Sequence, residues 1–137
     1  MATSSKHIAL FPLNIFLLPG EQMPLHIFEK RYQQLFDEME SIGISVALPF
    51  KDEKSGNQFA SICELVRITK RYKSGERDVI VECKSLHWLE SQESVFPGKL
   101  YPGGTIGDEV DFVRLLSTTT YLLSSLPTTS SRNMRAT

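Results

Sequence analysis

The stretch Ile8-Ala-Leu-Phe-Pro-Leu-Asn-Ile-Phe-Leu-Leu-Pro-Gly-Glu-Gln-Met-Pro-Leu-His-Ile-Phe28 decides how this chain folds. It is mostly apolar and holds three prolines, at positions 12, 19 and 24. Proline lacks a donor N–H and pushes the residue before it toward extended geometry, so no helix runs through these residues. The stretch is extended chain that turns at Pro19-Gly20. Prolines fit poorly inside a central strand, which puts the pieces at strand edges or ends. The simplest arrangement is a strand pair forming one wall of the core.

Outward from there, the period changes. Phe28, Tyr32, Leu35, Phe36 and Met39 recur at helical spacing and form one apolar stripe. Lys30, Gln33, Gln34, Asp37 and Glu38 fill the opposite face, and Gly43 is the expected stop. Such a stripe serves either a core or a ligand, and core packing is the expectation. Ile44 to Phe50 is a short apolar run ending at Pro49, read as a buried strand. A polar loop follows from Lys51 to Gln58. Phe59 to Tyr72 and Arg77 to Leu89 flank Lys73-Ser-Gly-Glu76 and read as a β-hairpin. Ile62, Val66 and Ile68 should share one face of its first strand, and Val79, Val81 and Cys83 one face of its second. Tyr101-Pro-Gly-Gly-Thr-Ile106 reads as a turn and a short extended piece.

The expected domain spans residues 8–107, after a flexible segment 1–7. Asp108 to Leu126 has the spacing of a weak closing helix capped by Asp108. From Ser117 onward, eleven of twenty-one residues are Ser or Thr, so 127–137 is expected to be a disordered tail.

The 137 residues suit one domain with a real core. Fifteen Lys and Arg against sixteen Asp and Glu leave a net charge of −1. A near-neutral chain is not built on counterion release, so nucleic acid is not the expected main partner. Two cysteines, Cys63 and Cys83, are too few for a secreted disulfide framework. The N-terminus lacks the long apolar region of a signal peptide, and no apolar stretch reaches the ~20 residues that span a bilayer. A cytoplasmic protein with no membrane partner is the expectation.

Chemistry is hard to find. There is no Gly-Lys-Ser/Thr phosphate loop and no Gly-x-Ser-x-Gly elbow. Gly103 and Gly104 lack the spacing of a dinucleotide site. His7, His26 and His87 are far apart in sequence, and metal ligation needs clustered His and Cys. A hairpin centred between Ser74 and Gly75 sets Cys63 near Leu86 and Cys83 near Val66. The thiols would then lie roughly 10 Å apart, too far for a disulfide or a shared metal. His87 would fall beside Cys63 as a solvated neighbour. The carboxylate pairs Asp52/Glu53 and Asp108/Glu109 read as solvated charge or a helix cap. No catalytic residue, metal or cofactor is expected.

One cluster stands out. Arg67, Lys70, Arg71, Tyr72, Lys73 and Arg77 gather near the hairpin tip. A basic tip with an interleaved aromatic is what a reader of single-stranded RNA would use. A solvated edge protected by charge is the plainer alternative.

A resemblance extends this reading. Leu10-Phe-Pro-Leu, then Pro19-Gly20, then Pro24-Leu-His-Ile-Phe-Glu-Lys-Arg-Tyr32 resembles the opening signature of the Lon substrate-binding domain. That family comprises the amino-terminal domain of Lon proteases and is found also as standalone proteins and in cereblon. Weaker similarity continues through Ala60-Ser-Ile-Cys63 and Ser74-Gly-Glu-Arg-Asp-Val-Ile-Val-Glu82, to about residue 106. At Cys83-Lys-Ser-Leu-His-Trp88 the chain departs from the family's frequent Gly-x-x-Arg-Phe. The resemblance implies an α+β, mainly β fold with one or two helices: a PUA-like pseudobarrel of bent antiparallel strands closed by an amphipathic helix. It implies recognition of unfolded or tagged polypeptide, or docking of a partner protein. The motor and Ser-Lys peptidase of full-length Lon are not expected within these residues. In the fitted motif, Pro19-Gly20 and Pro24 fix a bend, and Glu29 and Arg31 are expected to pin the helix to the sheet. Ile15, Phe16, Leu17, Leu18 and Met23 are more apolar than a short segment needs. They are the expected polypeptide-binding surface, with homodimerisation as a competing use.

Overall fold

The computed structural model describes residues 5–111. Its elements are β1 (Lys6–Leu10), β2 (Gln22–Ile27), α1 (Lys30–Ile42), β3 (Val46–Lys51), β4 (Gln58–Arg71), β5 (Arg77–Glu93) and β6 (Gly103–Glu109). The strands form one sheet in the order β2-β5-β4-β3-β1-β6, and β6 returns to pair with β5. The last pairing closes five strands into a ring. β1 and β3 are parallel; every other pairing is antiparallel. β5 makes the closure possible by its length. On one edge it holds β4, and on the other it holds β2 along Arg77–Glu82 and then β6 along His87–Glu93. Mainly β architecture with one described helix is as the sequence implies.

The expected strand pair in residues 8–28 does not form. β1 and β2 lie in different parts of the sheet, because the chain between them crosses from β1 to the far side of β5. That crossing is apolar but not exposed. Ile15, Phe16 and Leu17 are buried. Ser61 on β4 satisfies the backbone there: its hydroxyl accepts from Leu17 N–H at 3.2 Å and donates to Leu17 C=O at 2.7 Å.

The helix forms where its period places it. Tyr32, Leu35, Phe36 and Met39 are buried against Val79, Val81, Cys83, Met23, Ile27, Phe11 and Leu48. Each fully buried large apolar side chain contributes roughly 1.5–3 kcal/mol. Gly43 ends the helix with φ 70°, the left-handed conformation glycine adopts without penalty, and its N–H reaches Met39 C=O. Phe28 is an exception to the stripe. It precedes the Glu29 cap, follows the strand alternation of β2, and is 59% exposed. A second apolar cluster, with Ile8, Leu10, Ala47, Ala60, Ile62, Leu89 and Ile106, draws on the five strands of the ring. Gly104 makes the closure possible: a Cβ there would stand 2.5 Å from the Ser91 carbonyl oxygen. This glycine serves strand packing, not a nucleotide.

The hairpin is real, but its register differs from a regular ladder. Val66 and Thr69 have no opposite residue on β5, and Lys84 has none on β4. Each such bulge shifts the pairing by one. With the turn centred on Ser74 and the two bulges on β4, Cys63 pairs directly with Cys83; beyond the Lys84 bulge His87 pairs with Ala60, and its Nδ1 lies 2.9 Å from Gly107 C=O. The bulges also break the expected face: Ile62 is buried in the ring, Val66 is exposed, and Ile68 flanks the helix cluster. Asp108 lies in β6, so it caps no helix at that point, and the 107/108 boundary falls inside a strand. The expected helix beyond residue 111 and the 127–137 tail lie outside the described residues. Asp52 is buried rather than solvated; its carboxylate accepts from Ser55 Oγ at 2.6 Å and orders the β3–β4 loop.

Candidate polypeptide-binding site

β2 is set apart by its surroundings. Among the described residues every other strand has at least two neighbours, whereas β2 pairs with β5 alone. Among the described residues no strand pairs with the outer edge of β2, which is open in that sense. Met23 and Ile27 point into the core, with Leu25 half-buried beside them. Gln22, Pro24 and His26 face outward by strand alternation. Cys83 N–H bonds to Glu21 C=O, which fixes the phase of the ladder. Odd residues direct their backbone groups at β5, and Gln22, Pro24 and His26 direct theirs at the open edge. Pro24 offers a carbonyl but no donor, the device by which edges are kept from pairing indiscriminately.

The end of β2 carries a row of rings. Phe28 stacks with His26, centroids 6.0 Å apart, and His26 meets Tyr72 of the hairpin tip edge-on at 5.5 Å. Lys70 Nζ lies 4.8 Å from the centre of the Tyr72 ring. His26 sits between two carboxylates: Nδ1 is 2.6 Å from Asp78 Oδ1 and Nε2 is 2.9 Å from Glu76 Oε1. The Asp78 hydrogen bond is the main reason its pKa is raised, with Glu76 adding to it against partial desolvation. Asp78 in turn is held below its ordinary value by the bonds from His26 and Tyr72.

The basic tip is not a free cationic cluster. Arg77 is buried, with its guanidinium 2.6 Å from Glu40 and 2.7 Å from Asp37 on α1. Arg71 also pairs with Glu40. Burial pushes the Glu40 carboxyl up, but the hydrogen bonds from Arg71 and Arg77 outweigh it and the net shift is down. Tyr72 donates to Asp78 at 2.8 Å. Lys70 stands opposite Asp78 in the hairpin, and its charge helps to lower that carboxyl. The tip is thus a clamp that ties the hairpin to the helix. Glu29 and Arg31, expected to do that, pair with each other at the surface instead. The acidic partners on the helix, Asp37 and Glu40, were the missing half, and only their charge and helical spacing signalled them.

The expected apolar surface does not exist as drawn. Ile15, Phe16, Leu17 and Met23 are at most 7% exposed, and Leu18 is half-buried against Phe16, Phe59 and Leu86. They are core. Phe28, which the helical stripe had claimed, is the apolar side chain offered to solvent just past the end of β2. Elsewhere, a cleft of about 250 Å³ opens between β1, the end of α1 and the loop at Phe96–Tyr101, walled by His7 stacked on Phe96 at 4.4 Å. Among the described residues no group of three His, Cys, Asp or Glu side chains is placed to hold a metal, and no helix is long and apolar enough to cross a membrane.

No protein-family model matches the sequence, and no curated protein matches it. Solved structures do match. A Lon N-terminal domain protein from Xanthomonas campestris superposes with TM-score 0.61 at 18% identity, over 88% of this chain and 75% of that one. The N-terminal domain of a Mycobacterium avium complex Lon protease gives TM-score 0.54 at 14% identity, over 87% and 67%. At such identities the likeness speaks for the backbone, and it agrees with the resemblance carried by residues 8–32: the chain has the fold of the Lon N-terminal domain, an α+β arrangement with a mixed sheet.

Proposed function

We propose that this chain is a non-catalytic, cytoplasmic polypeptide-binding module that takes an extended segment of an unfolded or tagged protein along the open edge of β2. The observation that carries the reading is the open edge itself, ending in the Phe28–His26–Tyr72 row. Main-chain bonds at a strand edge give affinity without demanding a sequence, and an exposed aromatic supplies an apolar anchor. Pro24 thins those bonds to the carbonyls of Gln22, Pro24 and His26 and the N–H groups of Gln22 and His26. Binding is therefore weak and tolerant, as a reader of many clients requires. The fold likeness to Lon N-terminal domains supports the same reading. A second copy of the chain is the competing occupant of this edge.

The test is titration of the protein with a reduced, alkylated and permanently unfolded protein, followed by fluorescence anisotropy. Phe28→Ser should weaken binding by about tenfold, the scale of one aromatic anchor, while melting like the wild type. Equal binding by both proteins, or none by either, would overturn the assignment. Sedimentation without ligand separates self-association from client capture.

A further inference from the structure

Cys63 and Cys83 are Cα partners across β4 and β5, and both side chains are fully buried in the cluster under α1. The kind of pair they make can be read from the backbone. Cys83 N–H donates to Glu21 C=O at 2.9 Å, and Cys83 C=O accepts from Gly20 N–H at 2.8 Å. Both groups are engaged on the β2 side, so neither is exchanged with Cys63. The two form a non-hydrogen-bonded pair, the kind that brings Cα atoms to about 4.5 Å and side chains closest together. That spacing falls at the short end of the roughly 4.4–6.8 Å that a disulfide spans. The thiols are free in the structure. Cys63 Sγ donates to Ser61 C=O at 3.7 Å and Cys83 Sγ to Ser85 C=O at 3.4 Å.

We propose that Cys63 and Cys83 are a reversible oxidation site, converted by a peroxide into a cross-strand disulfide. Cys83 is the nucleophile, because it adjoins the unpaired Lys84, where the β4–β5 ladder is interrupted. The Cys83 sulfur attacks one peroxide oxygen, the O–O bond breaks, and the departing hydroxide takes up the thiol proton to give water and a sulfenic acid. The Cys63 sulfur then attacks the Cys83 sulfur. The S–O bond breaks, the S–S bond forms, and the Cys63 proton leaves with the hydroxide as a second water. Two thiols and one hydrogen peroxide give one disulfide and two waters, a two-electron oxidation. A dithiol reverses it by thiol–disulfide exchange. Because the thiols are buried, the rate follows local opening of the hairpin beside the unpaired Lys84. The bridge would sit where Gly20 and Glu21 fasten the start of β2 to β5, so it would tighten the base of the open edge.

The experiment exposes the full, reduced chain to hydrogen peroxide, removes the oxidant, denatures, alkylates and weighs the intact protein. The expected product has lost two alkylation sites and the mass of two hydrogens, remains a monomer, and regains both sites with dithiothreitol. Digestion should yield one linked pair of peptides containing Cys63 and Cys83. Cys63→Ser and Cys83→Ser proteins should show no loss of two hydrogens, and in Cys63→Ser a sulfenic acid should be trapped at Cys83 by dimedone. The wild-type measurement stands alone if either variant folds poorly. Two alkylated cysteines after oxidation, stepwise oxygen addition at separate sulfurs, or a disulfide between two chains would each refute the site.

Discussion

Replacing Arg77 with methionine separates the clamp from a ligand-binding tip. Methionine keeps the apolar stem and removes the guanidinium. The side chain is 7% exposed, and it donates to Glu40 Oε2 at 2.6 Å, Asp37 Oδ1 at 2.7 Å and Gly75 C=O at 3.1 and 3.3 Å. A hydrogen bond involving a charged group contributes roughly 1.5–3 kcal/mol net. The Asp37 carboxylate is 65% exposed, so that pair adds only about 0–1 kcal/mol. Glu40 keeps Arg71, which spares it the ~3–5 kcal/mol cost of a charge left alone in the interior. The expected loss is therefore about 1.5–4 kcal/mol. Urea unfolding followed by the fluorescence of Trp88, the one tryptophan, reads it directly. Arg77→Lys should lose an intermediate amount, because an ammonium cannot reach both carboxylates as a fork. A loss under about 0.5 kcal/mol for Arg77→Met, the range of ordinary surface changes, would refute the clamp and return Arg77 to the pool of surface cations.

Three further outcomes are expected. Leu35→Ala, at a fully buried position, should cost about 2–5 kcal/mol, whereas Phe28→Ser should change stability by less than about 0.5 kcal/mol; equal losses in urea unfolding would contradict the division between core and surface. The His26 imidazole, followed by NMR, should titrate above the ordinary value of 6.5, and Asp78→Asn should bring it back down. The sign follows: a raised folded pKa gives stability that is complete below 6.5 and fades as pH rises through the folded value; a wild-type midpoint at or below 6.5 would contradict the carboxylate sandwich. Gly104→Ala should cost about 1–3 kcal/mol through overpacking against Ser91 C=O, and an unchanged melting temperature would show that the β5–β6 seam is looser than described.

The helix and the hairpin were legible because their signals are local. Tyr32, Leu35, Phe36 and Met39 repeat at one period, Gly43 stops them, and a polar tip joins two β-type runs. The order of prolines from Pro12 to Pro24 carried the likeness to Lon N-terminal domains. What stayed hidden depends on partners far along the chain. Nothing near Leu17 announces that Ser61 will satisfy its backbone, so an apolar loop looked like a surface. Phe28 continues a helical spacing and a strand alternation equally well, and the Glu29 cap decides for the strand. Bulges at Val66 and Thr69 and a turn centred on Ser74 leave no mark in composition, and they turn two distant cysteines into neighbours. The arginines of the tip were visible; that Asp37 and Glu40 of the helix would answer them was not.

Closing the ring through β6 has a consequence in time. Lys6 pairs with Ile106, so the first described strand meets one of its partners only when the last has been made. The β4–β5 hairpin needs no such wait, since its arms are joined by a short turn. Non-local closure is slow because the intervening chain must be ordered before the contacts repay it. The order of folding should therefore run from hairpin to latch, with β6 arriving last. During synthesis Ile8 and Leu10 stay unsheltered on one side until Gly103–Glu109 clears the ribosome. A substitution in the latch, such as Ile106→Ala, should then speed unfolding far more than it slows folding.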